Sequence, residues 1–299
     1  MSATVPAGEH LAAARAGNGI SVRDELAFVL VAGRDAGRLL QNVVTSDIDA
    51  LAVGEGQYAL ALTPKGKPLA DAWIVREGDD AYVCACEAAV QDDLIAGLKR
   101  YRLASRADIT SVSGERTLLE RPFAAPPAGW HAGPLGALLL AGTDEARAAW
   151  DAALAGGAVA LSAAVREALR VERGVPRFGV DFDDSNLPAE AGVVERAISF
   201  TKGCYIGQEP IVRLAHRGHA NRELRRLRLD ETVELPATLL EGEREVGRVT
   251  STASLPEGGA AALGYVRRAV EDGAPLVAIG ARGERVVARD AGRVAAGRP

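Results

Sequence analysis

The stretch Phe200-Thr201-Lys202-Gly203-Cys204-Tyr205-Ile206-Gly207-Gln208-Glu209-Pro210 repeats its apolar residues neither every second position nor every 3.6, so it reads as neither strand nor helix core. It gathers two glycines, a thiol, a lysine and a carboxylate into one turn-like run. Such residues outside a packing pattern point to a site. Cys204 leads the candidates, because the thiolate is the reactive form of cysteine and nearby cations lower the pKa that controls it. Lys202 is one such cation, and Arg213 and Arg217 follow further on. The plainer reading is a small thiol in a glycine-rich turn; Lys202, Gln208 and Glu209 tip the balance toward a site. Gly203 and Gly207 either relieve backbone strain or let a ligand approach the main chain. Glu209 serves equally as a ligand acceptor or as a carboxylate favoured by a helix start.

Upstream of this run, Ser162 caps an expected helix from Ala163 to Arg173, which Gly174 and Pro176 terminate. Apolar Leu135–Ala141, a helix from Asp144 to Leu154 capped by Thr143, and a strand at Ala158–Leu161 precede it as one α/β unit. Residues 121–134 are rich in Pro, Ala and Gly and read as a crossing between units. Another α/β unit lies before the crossing. Its strand Glu25–Val31 leads into a helix from Gly33-Arg34-Asp35, whose Leu39, Leu40, Val43 and Val44 recur at helical spacing. Strands Gln57–Leu62 and Leu69–Val75 pair around Thr63-Pro64-Lys65-Gly66-Lys67, where Pro and Gly supply a tight turn. A strand Ala81–Cys86, a helix Ala88–Arg102 and a strand Ala107–Val112 complete the unit. Downstream, from Arg222, six short apolar segments separated by Gly or Pro describe a small all-β barrel or sandwich.

A chain of 299 residues is long enough for two or three domains, each with its own core. Hydrophobic content of 48% with 25% charged residues is that of a globular protein, and a net charge of -5 gives no global affinity for nucleic acid or anionic membrane. Three cysteines make no disulfide framework and fit a reducing, cytoplasmic setting. Met1–Gly19 resembles neither a secretory signal nor a membrane span.

The run Arg213, His216, Arg217, His219, Arg222, Arg225, Arg226 and Arg228 is either an anion site for polyglutamate, phosphate or RNA, or a solvated face. Lack of interleaved aromatics weakens the RNA case. Cys84 and Cys86 share a strand face, more often core than a metal site, and His216 with His219 lack a second ligand pair; no metal site is expected. Asp71, on the strand after the hairpin, and Glu172, at a helix end, are carboxylates of the kind that accept paired hydrogen bonds from a heterocycle's NH and NH2 edge, or else surface and capping groups. Ser-His-Asp, HExxH, P-loop and GxGxxG arrangements are absent.

Lys202-Gly203-Cys204-Tyr205-Ile206-Gly207-Gln208-Glu209 resembles the signature of the YgfZ family, folate-binding relatives of the glycine-cleavage T-protein that assist iron–sulfur enzymes. The likeness extends to Gly33-Arg34-Asp35-Ala36, to Thr45-Ser46-Asp47, to the hairpin up to Asp71, to Leu169–Pro176 and to Leu187–Gly192. It implies an α+β, T-protein-like, three-lobed fold. Two ferredoxin-like α/β lobes (1–115 and 116–221, the second carrying the signature) and a C-terminal β-barrel (222–299) would surround a channel for tetrahydrofolate. By that analogy Glu172 reads the pterin, Asp71 lies near the reactive end of folate, and Cys204 with Lys202 faces the same channel. Gly203, Tyr205, Gly207, Gln208, Glu209, Arg213 and Arg217 would form its wall. The implied function is support of iron–sulfur cluster assembly or repair in client enzymes, with those enzymes or assembly factors as partners. The T-protein pattern has two adjacent acidic residues on the strand after the hairpin; here the pair is Ala70-Asp71, which disfavours the alternative of aminomethyl transfer to tetrahydrofolate. An RNA-binding, tRNA-modification accessory is the third reading.

Overall fold

The computed structural model describes residues 8–103 and 105–294; residues 1–7 of the leader lie outside it. Helix α1 (Gly8–Arg15) and strand β1 (Gly19–Val22) precede the first lobe, which runs β2 (Leu26–Ala32), α2 (Ala36–Val43), β3 (Gly56–Leu62), β4 (Pro68–Gly78), β5 (Ala81–Glu87), α3 (Gln91–Arg102) and β6 (Asp108–Ser111). Its five strands are antiparallel neighbours in the order β3-β4-β5-β2-β6. Gly66 takes φ +73°, which closes the β3–β4 turn, with the Thr63 amide donating to the Lys67 carbonyl at 2.8 Å.

Period-two alternation gives this sheet two apolar faces. Ala70, Ala72, Ile74, Cys84 and Cys86 face α2 and α3 and bury Leu39, Leu40, Leu94 and Leu98. Both thiols are therefore core, and burial pushes the Cys86 thiol up to about 12. Trp73, Val75, Val83 and Ala85 point the other way, onto Leu118, Leu138 and Leu140 of a second sheet.

That second sheet comes from β7 (Arg116–Pro122), β8 (His131–Ala132) and β9 (Gly136–Gly142), followed by α4 (Thr143–Ala155) and β10 (Val159–Ala160). Its order is β10-β1-β7-β9-β8. Strand β1 lies parallel to β10 and antiparallel to β7, with Ser21 opposite Glu120. The N-terminal segment thus crosses the boundary expected at residue 115, because Ile20 is buried with Leu119, Leu139 and Ala141 under α4. The crossing expected at 121–134 is shorter than its composition implies: β7 already occupies Arg121 and Pro122, and β8 forms at His131–Ala132.

Helix α5 (Ala163–Arg173) begins at Ser162, whose Oγ accepts from the Val165 amide at 3.3 Å, and ends at Gly174 in the left-handed region. Short α6 (Val194–Ala197) and α7 (Gln208–Arg217) follow. The C-terminal lobe resolves the choice between barrel and sandwich. Strands β11 (Arg222–Leu229), β12 (Ala237–Glu241), β13 (Arg244–Ser254), β14 (Ala260–Arg267), β15 (Pro275–Ile279) and β16 (Arg285–Arg293) close in the order β11-β14-β13-β12-β15-β16. Val165, Ala168, Leu169 and Val171 of α5 pack on its Leu224, Leu263 and Tyr265. The whole is α+β with three lobes. No helix among the described residues is long and apolar enough to cross a membrane.

Candidate functional site

The loop from Ser199 to Gly207 is tied to the first lobe along its length. The Ser199 amide donates to the Thr45 carbonyl at 2.9 Å and the Ile206 amide to the Asn42 carbonyl at 3.1 Å. Lys202, 8% exposed, donates from Nζ to the carbonyls of Val44 (2.9 Å) and Ser46 (2.7 Å). These carbonyls sit just past the end of α2, where a cation is favoured. Burial pulls the Lys202 ammonium down to about 8, against the opposing pull of Asp47 and Asp49. The ammonium is thus committed to main-chain carbonyls, and its role is to fix the loop.

Gly207, at φ +79°, lies against the β3–β4 turn. A Cβ there would fall inside contact distance of the Thr63 carbonyl and 2.9 Å from Leu62 Cβ. Gly207→Ala should therefore cost about 3 kcal/mol or more, left-handed strain adding to a backbone clash. Urea melts of the two proteins would check it; a loss under about 1 kcal/mol would mean the turn yields freely.

Tyr205 is buried among Leu60, Leu62, Phe178 and Ile211. Gly203, Cys204, Glu209 and Arg213 are exposed, Gln208 is half-buried, and the side chain of Arg217 lies outside the described residues. The free thiol of Cys204 therefore faces solvent. The arginine run does not make one basic face: Arg222 pairs with Glu190 (3.1 Å), Arg225 turns inward to Asp290 (2.7 Å), and Arg228 reaches Glu257 (3.7 Å).

A separate cavity opens between the two sheets and is closed by α5 and the segment after it. Asp71 lines it. Neither Cys204, Lys202 nor any other signature residue does, and Glu172 is also absent. On α5 the cavity-facing residues are Arg166, Glu167 and Arg170; at about 100° per residue Glu172 falls more than about 100° round the helix from each of them, off that face. Glu172 instead binds Arg15 of α1 at 2.7 Å. The expected meeting of Asp71, Glu172 and Cys204 around one ligand does not occur.

The cavity has apolar walls from Leu26, Trp73, Leu118, Leu135 and Leu138. Its polar groups are mostly paired: Glu25 with Arg23 (2.5 Å) and Arg166 (2.6 Å), Glu87 with Arg177 (2.8 Å), and Glu167 with Arg170 (2.5 Å). Asp71 Oδ2 accepts from the Tyr58 hydroxyl at 2.7 Å. Burial raises the Asp71 carboxyl to about 6, the Tyr58 hydrogen bond opposing it. Arg196 lies over the Tyr58 ring, 4.9 Å from its centroid.

Glu120 stands apart. It is 0% exposed, and neither carboxylate oxygen has a hydrogen-bond partner. Its nearest cation, Arg23, is 3.8 Å away. The indole Nε1 of Trp73 and Nε of Arg196, on the same cavity, are also buried and unpartnered. Glu120, Arg23 and Trp73 escape a reading of local motifs. One signal was present: Glu120 interrupts the apolar run Leu118-Leu119, visible only once 116–122 is taken as a strand.

Comparison with known proteins agrees with this architecture. Residues 3–120 match the family described as the GCVT N-terminal domain. The chain is 29% identical over 268 residues to the tRNA-modifying protein YgfZ of Enterobacter sp. (strain 638), covering 79% of this chain and 81% of that protein. It is 27% identical over 215 residues to a mitochondrial iron-sulfur cluster assembly factor IBA57 homolog of Mycosarcoma maydis, covering 64% of this chain but only 52% of that relative. The crystal structure of the glycine cleavage system aminomethyltransferase T from Bartonella henselae superposes with a TM-score of 0.73 over 94% of this chain and 88% of that one, at 17% identity. That likeness concerns the fold.

Proposed function

Starting from a chain that belongs to the GCVT superfamily as a YgfZ-type member, we propose that it binds tetrahydrofolate between its two sheets and supports assembly or repair of iron–sulfur clusters in client enzymes of the cytoplasm. One observation carries the folate reading: a largely apolar cavity between the sheets is bordered by buried polar groups that have no hydrogen-bond partner among the described residues, Glu120 among them. Buried acceptors are nearly always satisfied, so unsatisfied ones around a cavity fit a polar ligand. In this reading Asp71 and Glu120 hold the ring from facing sheets, with Trp73 along its flat side. Bound tetrahydrofolate would supply an acceptor nitrogen for a one-carbon unit. Asp71, with a carboxyl near 6, is suited to hold or release a proton beside it.

Cys204 then acts outside the cavity, as a solvent-facing thiol on a rigid loop and available to a client or assembly factor. Calorimetric titration with tetrahydrofolate should give saturable one-to-one binding, in wild type and in Cys204→Ser alike. Cells carrying Cys204→Ser should nevertheless show lower activity of iron–sulfur enzymes; full client activity would make the thiol incidental. The position of Asp71 also favours a second reading, aminomethyl transfer to tetrahydrofolate. Release of ammonia from an aminomethylated lipoyl carrier would establish it, and its absence would remove it.

A further inference from the structure

We propose that one rim of the C-terminal barrel is a binding site for a phosphate monoester, held by Arg222, Arg244 and Arg267. The site shares no lining residue with the cavity between the sheets, so it is independent of what that cavity binds.

Strand direction brings the three arginines together. Arg222 is the first residue of β11, Arg244 the first of β13 and Arg267 the last of β14. Because β14 runs antiparallel to both of its neighbours, these ends meet at one rim of the barrel, where the three side chains line a single pocket with Asn221 and Glu190. Register tightens the crowding, since Arg222 stands directly opposite Arg267. Directly opposed residues share a face with Cβ atoms about 5 Å apart, so like charges there repel unless an anion comes between them. The pocket itself supplies too little negative charge. Glu190 is its one carboxylate among the described residues, and it is committed to Arg222 at 3.1 Å and to the Leu187 amide at 2.9 Å. Glu190 takes Nε and Nη2 of Arg222, which leaves Nη1 for a ligand, and the Tyr265 ring, 5.0 Å from the guanidinium, helps to hold that side chain in place. Arg244 and Arg267 are exposed and have neither an ion pair nor a side-chain hydrogen bond among the described residues; Glu241, opposite Arg244 across the β12–β13 turn, does not pair with it. Three guanidiniums against one carboxylate leave two positive charges uncompensated, in a chain whose net charge is -5. A phosphate monoester carries about −2 charge at pH 7, with acceptor oxygens that match the guanidinium fork, and so neutralises the pocket where a phosphodiester would neutralise half of it.

The full-length protein is titrated by calorimetry with glycerol 2-phosphate at pH 7.5 and fixed ionic strength, with glycerol as the uncharged control. Wild type should bind the phosphate saturably and one to one, and glycerol not at all. Arg244→Gln and Arg267→Gln should each weaken the phosphate about tenfold or more, the range for hydrogen bonds to a charged group. Both residues are exposed and unpaired, so both variants should melt with wild type in the absence of ligand. Arg147→Gln, which removes the same charge from α4, should change the affinity by about twofold or less, a charge outside the pocket being screened by salt. No saturation up to about 10 mM phosphate monoester, unchanged affinity in both pocket variants, or an equal loss in Arg147→Gln would each overturn the site and leave the arginines a solvated face. A single-stranded RNA with hydroxyl ends completes the test. If it displaces glycerol 2-phosphate and loses affinity in the same variants, the pocket reads a phosphodiester backbone and the monoester assignment falls. If it does not, the monoester assignment stands, and the same strand carrying a 5′-phosphate distinguishes an RNA end, which displaces the probe, from a small molecule, to which the site is then confined.

Discussion

Arg170→Met should lower the free energy of unfolding by about 4 kcal/mol, because it strands a buried carboxylate. Arg170 is 7% exposed and Asp181 1%. The guanidinium donates to Asp181 Oδ2 (2.5 Å), Glu167 (2.9 Å), the Val175 carbonyl (2.9 Å) and Ser251 Oγ (2.8 Å). Asp181 Oδ1 in turn accepts from Ser251 (2.7 Å) and Thr250 (2.5 Å) of β13. One side chain therefore joins α5, the 175–181 segment and the barrel. Urea denaturation would measure the loss. Arg170→Met/Asp181→Asn should recover a good part of it, as no charge is then left unpaired; a double variant as weak as the sum of its parts would show that the pair is not coupled.

Asp71→Asn should produce the opposite sign at neutral pH. The Asp71 carboxyl, held near 6 in the folded protein against about 3.9 in an unfolded chain, binds its proton more tightly when folded. Its contribution to stability is whole below about pH 4 and is lost as the pH rises through about 6, at most about 3 kcal/mol in all. The asparagine variant keeps an oxygen for the Tyr58 hydroxyl and has nothing to ionise. Its stability relative to wild type should climb between about pH 4 and pH 6 and stay higher at pH 7.5, while tetrahydrofolate binding weakens. Melts across that range test it: parallel curves would mean that Asp71 ionises without cost and is no reserve of proton-binding capacity.

How much of this was legible in the sequence depends on the range of the interaction concerned. Helix α5 follows residue for residue from Ser162 and Gly174, because capping is local. The β3–β4 hairpin follows from Pro64 and Gly66 for the same reason. The closure of six strands into a barrel was open until pairing was seen, since period and spacing are shared by barrels and sandwiches. Strand β1 is not legible in the sequence, because four residues carry too little pattern and its partners lie near residues 120 and 159. Asp71, singled out by its place after the turn, lines the cavity, whereas the direction in which the signature run's side chains point cannot be read from their order. Lys202 points inward to two carbonyls and Cys204 outward, an outcome set by how the loop lies on α2. Glu172 was drawn in by its motif and taken out by helical phase.

The placement of β1 also sets an order of assembly during synthesis. The first sheet draws only on residues 26–111, so it can pair fully as soon as that span has emerged from the ribosome. Strand β1, made earlier, has to wait for β7 and then for Val159 and Ala160 before both its edges are covered. Until then Gly19–Val22 is an unpaired edge tethered to a finished neighbour, the segment on which a chaperone or a wrong strand would act first.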